Sequence, residues 1–315
     1  MKILVTGANG FIGRHVLRCL ARHYLEAVVL GRVCPPGVAR EAFIQADLLD
    51  SSDLDERLRA AGATHLLHLA WVTEHGAFWQ SPQNYDWVRA SVALVRSFAA
   101  AGGRHVVAAG SCAEYDWSHG LCREHSTPLV PASTYGVAKD ATRRLLSALC
   151  DSAGLSLAWG RLFLSHGEGE DSRRLVPGLI DALTGVRPAF AVNRHAWRDF
   201  LQAGDVAEGF VALLRYGARG DYNISSGQPL QIGELVRQLA SQLDTDPDAV
   251  LALPAEARRG EPDLLVGESR RLQALGWRPR HSLSAALAET IASRALAGRP
   301  LPAARSIPSH AQETP

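Results

Sequence analysis

The sequence predicts an α/β fold: a doubly wound parallel sheet followed by a smaller mixed α/β C-terminal domain. Three observations carry this expectation. Short apolar runs alternate with helical patterns through the first half, as in a parallel sheet covered on both faces. A glycine-rich turn joins the first apolar run directly to the first helical pattern. From about Leu164 the regularity drops, and Gly167, Gly169, Pro177, Gly185 and Pro188 break the pattern.

Taken in order, Lys2–Thr6 reads as a buried strand and Phe11–His23 as a helix. Ala27–Leu30, Ala42–Ala46 and Thr64–Ala70 read as the next three strands. A helix over Asn84–Ala101, a fifth strand over His105–Ala109, a long helix over Ser133–Ser152 and a sixth strand over Leu155–Phe163 complete the first half. Beyond it, helices are expected at Leu175–Leu183, Asp205–Arg215, Ile232–Leu243 and Leu283–Ala297, with a strand at Asp221–Ile224. Residues 1–163 are expected to form the sheet domain, to which later segments return, and 164–297 mainly a substrate domain. The stretch 298–315, rich in Pro, Ala and Ser, is expected to be a disordered tail.

Composition narrows the function classes. Hydrophobic residues make up 47% and charged residues 21%, ordinary for a soluble globular protein. A net charge of +1 with no basic stripe gives no support to nucleic-acid binding. No apolar run approaches the length needed to span a bilayer, and the N-terminus enters a strand pattern without a signal-peptide cleavage site. The five cysteines (Cys19, Cys34, Cys112, Cys122 and Cys150) lack metal-site or disulfide spacing. No metal is expected, and a reducing cytoplasm is the expected location.

The glycine turn reads Thr6-Gly7-Ala8-Asn9-Gly10-Phe11-Ile12-Gly13. Glycines so placed let backbone approach a pyrophosphate, which then sits at the positive end of the helix dipole. The second strand ends Leu30-Gly31-Arg32, without the acidic residue that accepts hydrogen bonds from an NAD ribose. Arg32 could accommodate a 2′-phosphate, so NADP(H) is the expected cofactor and NAD the alternative. A solvated Arg32 stacking on adenine is the plainer reading.

Of 33 lysines and arginines, only Lys2 and Lys139 are lysines. Tyr135 and Lys139 lie four apart on a predicted helix and share one face. A phenol titrates near pH 10 in isolation, and a neighbouring ammonium is expected to draw it downward. Tyr135 could then exchange a proton with a sugar or alcohol oxygen. Ser111, just past the predicted fifth strand, is placed to hold that oxygen. An interior tyrosine beside a surface lysine is the bland alternative, and the glycine turn and the scarcity of lysine speak against it.

These residues, together with further blocks, resemble the extended short-chain dehydrogenase/reductases, a family of nucleotide-sugar epimerases, dehydratases and reductases with a Rossmann domain. The Gly-x-x-Gly-x-x-Gly spacing is similar to that family's, and Thr127-Pro128-Leu129 through Tyr135-Gly136 and Lys139 resembles its active-site block. Arg198-Asp199-Phe200 with Asp205-Val206-Ala207, Tyr222-Asn223-Ile224 with Gly227, and Leu275-Gly276-Trp277 with Pro279 resemble its later signatures.

The resemblance implies Ser111, Tyr135 and Lys139 as catalytic residues. It implies cofactor contacts from Gly7, Gly10, Phe11, Ile12, Gly13, Asp47, Leu48, Leu69, Ala70, Tyr135, Lys139 and Phe163. For the substrate it implies Ser111, the Arg174-Leu175 backbone, Arg198 and Arg258, with a surface salt bridge as the alternative for the arginines. A homodimer is the implied assembly, with no nucleic-acid or membrane partner.

Three departures qualify the resemblance. Leu164 stands where the family commonly has a diphosphate-binding Asn. Ser111 is followed by Cys112 and Ala113 instead of the Asp and Glu of the dehydratases. Cys112 lies three before Tyr115, one residue off the position of an epimerase cysteine, so it is expected to pack. Trp71, Trp79, Tyr115 and Trp117 form an unassigned aromatic group, of which Trp71 is expected to bind substrate. The expected reaction is NADP(H)-dependent reduction of a keto group, at C4, on a nucleotide-activated sugar. An NAD-dependent 4-epimerase is the alternative, and a non-catalytic dinucleotide-binding or redox-sensing protein a second one.

Overall fold

The structure, a computed structural model, describes residues 1–50, 53–255 and 260–296. Along the first half run β1 (Lys2–Thr6), α1 (Phe11–Arg22), β2 (Glu26–Gly31), β3 (Phe43–Gln45), α2 (Leu54–Ala61), β4 (His65–His68), α3 (Gln83–Ala100) and β5 (His105–Ser111). After these come β6 (Leu121–Cys122), α4 (Thr134–Ala153), β7 (Ser156–Leu162), β8 (Leu164–His166), α5 (Leu175–Leu183), β9 (Trp197–Gln202) and α6 (Ala203–Arg215). The last group is β10 (Gly220–Ile224), β11 (Pro229–Gln231), α7 (Ile232–Leu243), α8 (Asp248–Leu251), β12 (Leu264–Gly267), α9 (Arg270–Ala274) and α10 (Leu283–Leu296).

Seven strands form one parallel sheet in the order β10-β7-β5-β4-β1-β2-β3. Alternation along each strand divides the core in two. Ile3, Val5, Leu67 and Val107 face a layer containing Val16 and Leu20 of α1 and Phe210 and Val211 of α6. Leu4, Leu66 and Val106 face the opposite layer, with Leu58 of α2, Leu94 and Phe98 of α3 and Leu146 of α4. Both faces are thus covered, and the doubly wound parallel sheet expected from the alternating pattern is present.

The smaller sheet is mixed, in the order β11-β9-β12-β6 with β8 also paired to β9. Only β11 runs antiparallel to its neighbour. A third cluster from α5, α7, α8 and α10, including Leu179, Leu235, Val250 and Leu287, covers it. No helix among the described residues is long and apolar enough to cross a membrane.

Several elements lay outside the sequence expectation. α2, with Leu54, Leu58 and Ala61 on one face, falls in a stretch left unassigned. β6, β8, β11 and β12 are two to four residues long, too short for an alternation to register. α6 starts at Ala203, two residues early, because the Gln202 side chain accepts from the Gly204 and Asp205 amides. The expected tail, Arg258 and Ala297 lie outside the described residues.

Candidate active site

Between β1 and α1 the chain turns so tightly that two positions admit only glycine. Gly7 has φ +73°, and a Cβ there would lie 2.7 Å from the Ala70 nitrogen. On Gly13 a Cβ would lie 2.1 Å from the Gly7 carbonyl oxygen. Gly10 caps α1 without a side chain. The first amides of the helix therefore face a cleft of about 1400 Å³, which Gly7, Gly10, Phe11, Ile12 and Gly13 line. A glycine turn pressed this closely on the neighbouring backbone, at the positive end of a helix, fits the pyrophosphate of a dinucleotide.

The other expected cofactor positions open on the same cleft: Arg32, Asp47, Leu48, Leu69, Ala70 and Phe163. Arg32 is exposed just beyond β2. Asp47 accepts from the Leu49 amide at 3.0 Å. The ends of β1 and β4 are tied by the Ala70 amide, which donates to Thr6 Oγ1 at 3.3 Å, and by a 2.7 Å bond between Thr6 Oγ1 and His68 Nδ1.

α4 starts where Ser133 Oγ accepts from the Gly136 amide at 3.1 Å. A Cβ on Gly136 would lie 2.2 Å from the Ala113 carbonyl oxygen, so the helix start presses on the segment after β5. This close approach brings Tyr135 to Ser111, whose hydroxyl accepts from the Ala113 amide at 3.2 Å and favours the ionised phenol. Ser111 is the last residue of β5, not a residue past it.

Tyr135 corrects one expectation. Its phenol is pushed above the ordinary value, because burial outweighs the opposing influence of the Ser111 hydroxyl. Lys139 does not draw it down because the ammonium points elsewhere. Nζ donates to the Ala109 carbonyl at 2.9 Å and lies 3.8 Å over the Trp71 ring, against 5.9 Å from the Tyr135 ring centre. Burial draws Lys139 itself down to about 7, with Glu114 pulling the other way. The site thus holds a protonated phenol, a hydroxyl beside it and an amine poised to change charge near neutrality.

Behind Ser111 lies a buried pair that the sequence reading missed. Glu114, fully buried, accepts from the Ser111 amide at 2.7 Å and from Arg161 Nε at 2.7 Å. Trp159 Nε1 also donates to it, at 3.0 Å. Arg161 is equally buried and reaches Asp221 at 3.0 Å. A signal was available: Ser111-Cys112-Ala113-Glu114 is a Ser-x-x-Glu capping box, and it caps the short turn that follows β5.

Across the cleft, Arg198 lines the wall but is already engaged. It donates to Glu261 and to the Trp197 and Pro262 carbonyls, each at 2.8 Å. Arg174 caps α5 and places its guanidinium 5.8 Å from the Phe78 ring, with Leu175 beside it in the lining. Leu164 also lines the cleft.

Of the unassigned aromatics, Trp79 and Trp117 wall the cleft, with Trp79 5.7 Å from Tyr135 and 6.2 Å from Trp117. Phe78, unmentioned by the sequence reading, lies 4.9 Å from Tyr135. Tyr115 is buried elsewhere and donates to Asn223 at 2.7 Å. Cys112 is buried, and burial pushes its thiol up, as a packed cysteine requires. Glu170 also lines the cleft. Its Oε2 is buried without a hydrogen bond among the described residues, and burial pushes its carboxyl up to about 8.

Away from the cleft, Cys19, His23 and Glu208 come together on α1 and α6. Glu208 is held there by Arg22 and His23 at 2.9 Å and by Arg280 at 3.1 Å, so the cluster is an ion-pair network.

Fold and site together define an NAD(P)-dependent oxidoreductase or epimerase of the extended short-chain dehydrogenase/reductase type. The chain belongs to the NAD dependent epimerase/dehydratase family, whose model matches residues 3–225. It is 26% identical to a UDP-glucose 4-epimerase of Azospirillum brasilense, covering 89% of this chain and 88% of that one. It is also 26% identical to a dTDP-6-deoxy-L-talose 4-dehydrogenase (NAD(+)) of Aggregatibacter actinomycetemcomitans, over 77% of this chain and 90% of the other. Among solved structures, MoeE5 in complex with UDP-glucuronic acid and NAD superposes with a TM-score of 0.82 at 28% identity. That match covers 94% of this chain and 100% of MoeE5.

Proposed function

We propose that the protein interconverts a hydroxyl and a keto group at C4 of a nucleotide-activated sugar, with 4-epimerisation as the net reaction and NAD as cofactor. The observation that carries this reading is the meeting of Ser111, Tyr135 and Lys139 in the same cleft as the glycine cradle. Two of the relatives, a 4-epimerase and a 4-dehydrogenase, are named for chemistry at the same carbon.

A bound nicotinamide dinucleotide supplies the hydride acceptor and donor. Tyr135 Oη takes the proton of the C4 hydroxyl in the oxidative direction and returns it in the reductive one. Ser111 Oγ holds the same oxygen. Lys139, turning from Ala109, stabilises the phenolate that must be present before Tyr135 takes that proton and that the reductive step regenerates. Arg198, exchanging its bond to Glu261, and the start of α5 at Arg174 and Leu175 hold the diphosphate.

A second reading, NADPH-dependent reduction of a 4-keto sugar, is favoured by one observation. The end of β2 offers Gly31 and Arg32 where an acidic residue would hold an NAD ribose. Denaturing the purified protein and assaying released nicotinamide separates the two. Bound NAD, with interconversion of UDP-glucose and UDP-galactose or another 4-epimeric pair without added cofactor, is the expected result. Protein free of nicotinamide that consumes NADPH with a 4-keto-6-deoxy nucleotide sugar would establish the second reading instead.

A further inference from the structure

The position of Trp71 just after β4 suggested a ring facing the sugar, but only 9% of the residue is exposed. Its ring lies against Lys139, with Nζ 3.8 Å from the ring centre. Other contacts fix the indole. Trp71 Nε1 donates to Asn84 Oδ1 at 2.9 Å, and Trp87 stacks with it at 6.1 Å. Asn84 is fully buried and is itself held, donating to the Phe78 and Ser81 carbonyls at 2.8 and 2.9 Å.

Lys139 has no carboxylate in contact among the described residues. The titratable groups that face it are Glu114, acting across a distance from behind β5, His68 at the end of β4, and Tyr135 on its own helix. His68 is neutral, since burial draws it down to about 3. A desolvated ammonium therefore relies on one carbonyl and one indole face, and indole is the strongest of the aromatic partners for a cation. The choice of partner matters. A π face stabilises the charge without fixing any of the three N–H donors, so those not spent on Ala109 remain free to turn to Tyr135 and the cofactor. A carboxylate in its place would hold those donors and neutralise the charge.

We propose that Trp71 is the positioning residue of Lys139, its indole face holding the ammonium in the cleft where a carboxylate would otherwise be required. The catalytic meaning of this clamp rests on the role given to Lys139 above; the clamp itself does not.

Because Lys2 and Lys139 are the only lysines, isotope-labelled lysine yields two side-chain signals, and Lys2→Arg leaves that of Lys139 alone. Growth on fluorinated tryptophans weakens the π face with little change of shape. Across such a series the Lys139 titration midpoint is expected to fall by roughly half a pH unit. The fall should vanish in Trp71→Leu and equally in Trp71→Phe, which carries no fluorinated ring at that position and serves if the leucine variant does not fold. A midpoint indifferent to fluorination overturns the proposal. If the midpoint moves while the alkaline limb of turnover stays put, the clamp stands and the catalytic role of Lys139 falls.

Discussion

Replacing Glu114 by Gln tests the buried support of Ser111. In the native protein the carboxylate carries the Ser111 amide and the Arg161 guanidinium at 2.7 Å, with both side chains fully buried. Gln keeps one acceptor oxygen but no charge, and its NH₂ would face a donor. Removing one partner of a buried ion pair leaves the other charge uncompensated, which costs about 3–5 kcal/mol. Asp221, 3.0 Å from Arg161, retains part of the compensation, so a loss of about 2–4 kcal/mol is expected in urea unfolding. Turnover should fall with it, because Ser111 loses its backbone anchor.

The double variant Glu114→Leu/Arg161→Met separates the two effects. Exchanging a buried pair for apolar side chains of similar volume is often neutral in stability. Stability should therefore recover in part, short of native because the Ser111 amide and the Trp159 indole lose their acceptor, while kcat stays depressed. A single Glu114→Gln variant within 1 kcal/mol of native stability and with native turnover would refute this reasoning. So would a double variant whose activity recovers together with its stability.

Three further outcomes are expected. Tyr135→Phe should abolish turnover while leaving dinucleotide affinity nearly intact, and Lys139→Ala should damage both, as equilibrium titration beside kinetics will report. Arg32→Ala should weaken NADPH binding by roughly ten- to a hundredfold and leave NADH unchanged if the guanidinium meets a 2′-phosphate; equal losses would remove that role. Glu170 has a folded value of about 8, above the ordinary 4.5, so the folded chain binds more protons than the unfolded one between those values and loses stability as pH rises through the window. Glu170→Gln should therefore stabilise the protein at pH 8 relative to pH 5 by on the order of 3 kcal/mol, and thermal unfolding at the two values measures this.

Much of this molecule was legible in the sequence because its decisive features are local. The glycine turn fixes a strand-to-helix junction within eight residues, and the four-residue spacing of Tyr135 and Lys139 needs only a helix to become a shared face. α5 and α7 begin and end where their apolar periodicity does. What remained hidden depends on contacts distant along the chain. The partners of Arg161 come from two separate segments, at Glu114 with Tyr115 and at Asp221. The direction of the Tyr135 phenol is set by how deeply α4 packs against the segment after β5, which no spacing reveals. Trp71 was assigned to the substrate because its position beside the cofactor strand was visible, whereas the Asn84 bond that turns its ring under Lys139 was not.

Hydride transfer at C4, with Tyr135 moving the proton, can be followed with nucleotide sugars deuterated at C4. With UDP-glucose, UDP-galactose and a dTDP-6-deoxyhexose so labelled, product analysis by NMR and mass spectrometry follows the deuterium. The label is expected to leave C4 for the nicotinamide, or to return to C4 of the epimer, without entering water, and Tyr135→Phe should hold it in place. Product formed with the label washed into solvent, or label transfer undiminished in Tyr135→Phe, would contradict it.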